Sequence, residues 1–125
     1  MKFKIGLLIS FSVLIGVVAC TKEKTEPAPP VVISGDCDSN LSYASNIVPI
    51  LAQNCAFSSC HGNGSTQKGV SLESYDGVVN AINNQKLLDA INRQAGVSPM
   101  PASGPLDAEL IKTITCWVED GMPNN

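Results

Sequence analysis

The 125-residue chain carries five cysteines, one histidine and three methionines. Two of the cysteines and the histidine fall in one run, Cys55-Ala56-Phe57-Ser58-Ser59-Cys60-His61. A cysteine followed directly by histidine, with another cysteine shortly upstream, is an attachment pattern for a c-type haem. In that chemistry two thiols add across the vinyl groups of the porphyrin, and the adjacent imidazole reaches the iron from the same side. The spacer here is four residues, where two is usual. A thioether on the opposite face raises the iron's potential and suits it to electron transfer. Met100, in Ser98-Pro99-Met100-Pro101, is the candidate, because a proline-stiffened loop has little entropy left to lose when it presents a side chain. Met122 follows Gly121 at a helix stop and reads as a packing or surface residue.

The elements that must position these groups are helical. Tyr43, Ile47, Ile50 and Leu51 share one helical face, with Pro49 near the first turn, where its missing N–H does least harm. The Cys55–His61 run therefore sits where the first helix ends. The pattern over residues 72–82 predicts a second helix, with Ser74 or Asp76 as its cap. Leu87, Leu88 and Ile91 mark a third, ending near Gly96. In the last, Asp107 is the N-cap, and Leu110, Ile111, Ile114, Trp117 and Val118 form the apolar stripe. Gly121 and Pro123 close it. Loops at 61–69 and 97–106 separate these pieces, and no stretch alternates as a strand does. The expected fold is all-α, with the reactive residues in its loops.

At the other end, Lys2 and Lys4 precede an uncharged apolar stretch over residues 5–19. It is shorter than the roughly 20 residues a spanning helix needs, and it suits a secretory signal. It ends Val17-Val18-Ala19-Cys20, which resembles a bacterial lipobox. The resemblance implies that Cys20 is lipidated and becomes the new N-terminus, its acyl chains holding the protein to a membrane at ~0.8 kcal/mol per buried methylene. The organisation expected is a lipoprotein signal peptide over 1–19, a lipidated Pro-rich tether over 20–36 and a domain over 37–125. Charges between Lys22 and Glu26, then Pro27, Pro29 and Pro30, give the tether no surface to bury. The expected location is the bacterial cell envelope, lipid-anchored and facing the periplasm or cell exterior, an oxidising setting. Removal of Lys2 and Lys4 takes the formal charge from −3 to −5. A pI near 4.9 without a basic cluster excludes a nucleic-acid partner. A single histidine excludes a His-rich zinc hydrolase site.

From residue 43 to residue 125 the sequence resembles the small monohaem cytochrome c domains of bacterial lipoproteins. The resemblance rests on Ile47-Val48-Pro49-Ile50-Leu51 with Asn54-Cys55, on Cys60-His61-Gly62, on Pro99-Met100-Pro101, and on Trp117, Gly121 and Pro123-Asn124. It implies a small class-I-like cytochrome c fold of about four helices around one covalent haem c. Cys55 and Cys60 would be the thioether anchors, and His61 and Met100 the iron ligands. It further implies that the first and last helices pack together, which makes Cys37 and Cys116 a disulfide pair. The function implied is electron transfer between a redox protein donor and acceptor, without catalysis by the protein itself. The alternative is a haem-free, disulfide-stapled lipoprotein acting as a structural or binding module, in which the four domain cysteines form two disulfides. Zinc held by Cys55, Cys60, His61 and a further cysteine is disfavoured, because an oxidising compartment consumes thiolates. A Cys60 nucleophile activated by His61 is disfavoured too, because nucleophile and base usually meet through the fold.

Overall fold

The structure, a computed structural model, describes residue 37 and residues 40–125. The expected signal peptide over 1–19, the lipidation site Cys20 and the tether over 20–36 lie outside the described residues.

The first helix opens as a π-helical turn, Tyr43–Ile47, and tightens into α1, Val48–Asn54. Ser42 begins it, its hydroxyl accepting from the Ser45 N–H at 3.3 Å, and Pro49 falls in the first turn of α1, directly after the π-helical turn. Helix α2 runs Tyr75–Asn84, with the Ser74 hydroxyl accepting from Gly77 N–H at 3.2 Å. It starts later than the pattern over 72–82 predicts. Leu72 is buried, but from the loop before the helix. Helix α3, Leu87–Ile91, is little more than one turn and stops well short of Gly96. Helix α4, Ala108–Glu119, is capped by the Asp107 carboxylate, which accepts from Glu109 N–H at 2.9 Å. Gly121 takes a left-handed φ of 85° just beyond it, as glycine does at a helix stop. Among the described residues there are four α-helices and no strand. None of these helices is long and apolar enough to cross a membrane.

Trp117 is the centre of the core, fully buried with Ile47, Val78, Ile91 and Ile114. Its ring lies 5.6 Å from Tyr43 and 6.3 Å from Tyr75, and the two tyrosines meet edge to face at 5.2 Å. These contacts tie the first helix, α2 and α4 together, in arrangements that aromatic quadrupoles favour. Their polar atoms are satisfied by the segment after α4. Trp117 Nε1 donates to the Pro123 carbonyl at 3.0 Å, and the Tyr75 hydroxyl donates to the Met122 carbonyl at 2.7 Å. The same segment reaches the start of the first helix. There Asn125 O accepts from Ala44 N–H and from the Ser42 hydroxyl, and Asn125 Oδ1 accepts from Tyr43 N–H. Backbone N–H groups at a helix start have no partner inside the helix, and this one takes them from the far end of the domain. A Cys37–Cys116 disulfide, with Cα atoms 5.4 Å apart, adds a covalent tie between residue 37 and α4.

Candidate functional site

Cys55 leaves α1 with a non-helical φ of −135°, and the next seven residues fold into a tight turn. Cys60 N–H and Gly62 N–H both donate to the Phe57 carbonyl, at 2.9 and 3.0 Å, and His61 N–H donates to Cys55 O at 3.3 Å. The turn closes only because residue 62 is glycine: a Cβ there would lie 2.1 Å from the Ala56 carbonyl oxygen. The two ends of the run, Cys55 and Cys60-His61, are thus held beside each other. His61 Nδ1 lies 3.0 Å from the Val70 carbonyl. A carbonyl only accepts, so Nδ1 carries the proton, and Nε2 of the neutral ring is left as an acceptor. The loop beyond is secured by Glu73, whose carboxylate accepts from the Asn63 and Gly64 N–H groups.

These residues form one wall of a cavity of about 700 Å³. Leu72 and Ala81 supply a second wall, Leu87 and Ile91 of α3 a third, and Met100 closes it from the 97–106 loop. That loop is pinned to the end of α3. Met100 N–H donates to Ala90 O at 3.0 Å, and Arg93 Nη1 donates to the Pro101 carbonyl at 3.3 Å. Cys55, Cys60, His61 and Met100, singled out from the sequence, therefore face a shared space whose lining is mostly apolar. Burial, and secondarily the neighbouring Cys60, pushes the Cys55 thiol up to about 11. At neutral pH it is protonated, a weak S–H donor in the cavity wall. The Val70 carbonyl that orients His61 and the aliphatic walls from α3 have no signature in the sequence. Gly62 is the one local signal of the pinched turn.

Cys37 and Cys116 form the other cysteine site. Glu119 Oε2 lies 3.4 Å from the Cys37 sulfur, and this trio is the single group of three or more Cys, His or acidic ligand atoms gathered within 4.8 Å among the described residues. Both sulfurs are spent in the disulfide and have no proton to donate, so the trio is a structural staple. Cys55 and Cys60 are free thiols, and with His61 they form no such group.

These findings correct the identification as a monohaem cytochrome c domain, and with it the covalent haem c, the haem-centred fold and the electron-transfer function. The cysteines that the fold joins are Cys37 and Cys116, in a protein disulfide and not in a haem linkage. The four-residue spacer folds as a pinched turn in which Cys55 stays a partly buried, protonated thiol. Residue types and spacing alone do not separate such a turn from an attachment motif. What the structure supports is a small four-helix domain stabilised by a disulfide. Comparison with models of known families, with curated proteins and with solved structures finds no match for this chain.

Proposed function

We propose that the domain is a disulfide-stapled binding module that takes a largely apolar small molecule into the cavity between α1, α2 and α3. The observation that carries this reading is the cavity itself. An apolar recess of about 700 Å³ in a domain this small leaves surface that a bound apolar molecule would cover favourably. Its volume and apolar lining match those of ligand pockets, which add a few placed polar groups for orientation. Those groups are His61, whose Nε2 offers an acceptor, the Cys55 and Cys60 thiols, and the Met100 thioether. In this reading the module holds its ligand without making or breaking a bond in it. In this reading Cys20 carries lipid and the tether over 20–36 holds the domain clear of a membrane at the cell envelope.

The test is mass spectrometry of the exported protein under native and denaturing conditions. The expected result is a small-molecule mass present natively and lost on denaturation, or an empty protein that binds 1-anilinonaphthalene-8-sulfonate. A ligand mass that stays on the chain after denaturation would overturn the non-covalent reading. So would an empty protein that leaves this dye unbound.

A further inference from the structure

We propose that Cys55 and Cys60 are a reversible dithiol–disulfide pair in the cavity wall, so that ligand binding depends on their redox state. The consequence for binding rests on the function proposed above; the thiol chemistry stands independently of it. Both cysteines are free, both are partly accessible and both line the cavity. They stand at the two ends of one turn, closed by the His61 N–H to Cys55 O bond and by the contact of Gly62 with the Ala56 carbonyl. The turn has therefore already met most of the entropy cost of bringing the two residues together. The other two domain cysteines are paired with each other, away from the cavity. An exchange reaction thus has one dithiol to act on among the described residues.

The oxidant is an external disulfide, of the glutathione or protein thiol–disulfide oxidoreductase class. Cys60, as thiolate, attacks one of its sulfurs, forming a mixed disulfide and expelling one thiolate, which takes up the Cys60 proton. Cys55, as thiolate, then attacks the Cys60 sulfur, forms the Cys55–Cys60 bond and expels the second thiolate, which takes up the Cys55 proton. Two electrons leave the chain, and the external disulfide becomes two thiols. This order follows from burial: the Cys55 thiol is pushed up to about 11, which suits it to the intramolecular step. The new bond brings the sulfurs to about 2.05 Å, drawing in the wall, and it removes two S–H groups from the cavity.

The test uses the full chain, incubated with oxidised glutathione or with reductant too weak to open Cys37–Cys116, then alkylated with iodoacetamide and mapped by peptide mass. The expected result is an internal Cys55–Cys60 bond in the oxidised sample, two alkylated cysteines in the reduced one, and Cys37–Cys116 intact in both. Binding of 1-anilinonaphthalene-8-sulfonate is expected to be lost in the oxidised form. Cys55→Ser should stop at a single glutathione adduct on Cys60, with no internal bond. If that variant does not fold, the oxidised and reduced wild-type samples carry the same comparison. Thiols that remain alkylatable after oxidation, or that each end with a glutathione adduct, would overturn the pair. A bond that forms without changing dye binding would overturn the redox control of the cavity. Dye binding absent from both forms, with the bond formed, would overturn the binding function and leave the pair standing.

Discussion

Removal of the Cys37–Cys116 bond is expected to cost this domain a third or more of its stability. The two residues are 79 apart in sequence, so the cross-link closes nearly the whole domain into one loop. In the chain-entropy model a loop of that length lowers the stability of the unfolded state's competing ensemble by about 4.5 kcal/mol. Domains of this size are typically stable by only about 4–13 kcal/mol. Cys37→Ala alone breaks the bond, and a loss of this size corresponds to a fall in Tm of about 20 °C or more. Cys37→Ala with Cys116→Ala should cost only ~1 kcal/mol beyond the single change, since all that is added is a lost sulfur contact at buried Cys116. The effects of the two single substitutions are thus strongly non-additive. Urea unfolding followed by the fluorescence of Trp117, the one tryptophan and fully buried, measures both quantities. A Cys37→Ala protein within ~1 kcal/mol of wild type would refute the reasoning. It would show that the segment at residue 37 detaches without the loop constraint reaching the rest of the domain.

Three further outcomes follow from individual contacts. Gly62→Ala places a Cβ 2.1 Å from the Ala56 carbonyl oxygen and should cost about 3 kcal/mol; thermal denaturation checks it, and an unchanged Tm would show that the turn opens freely. Asp107→Ala removes the acceptor for Glu109 N–H and should cost about 1 kcal/mol, read from the urea midpoint. The Cys55 thiol ionises near pH 11 in the folded protein against an ordinary value of 9.0. The folded state then holds a proton that the unfolded chain has released, so the stability tied to this group is complete below pH 9 and is lost as pH rises through 9 to 11. Alkylation of Cys55 should accelerate across the same window, and Cys55→Ala should lessen the decline in stability.

The Cys-His run shows where sequence reasoning stops. Residue types and spacing marked Cys55, Cys60, His61 and Met100 as a set, and the fold does turn all four toward one cavity. The same run carried the haem assignment, because a cysteine's identity does not record whether it is a neutral wall thiol or a covalent anchor. That depends on how the core, built from residues distant in sequence, partly buries Cys55. A smaller example is Leu72, whose apolar side chain extends the predicted second helix by three residues. Burial draws it inward without demanding helical backbone, and Ser74 decides the start.

Taken by itself, the sequence determined what is set within a few residues: the all-α character, the cap at Asp107, the choice of Ser74 or Asp76 for the second helix, the stop at Gly121 and the loops that carry the reactive side chains. These rest on hydrogen bonds and periodicities that span one or two turns. The tertiary structure decided the rest. It assembled a 700 Å³ cavity, made His61 an acceptor through the Val70 carbonyl, raised the Cys55 thiol and placed Cys37 against Cys116. Each of these depends on groups brought together by the folding of separate segments, and no local pattern encodes such a meeting.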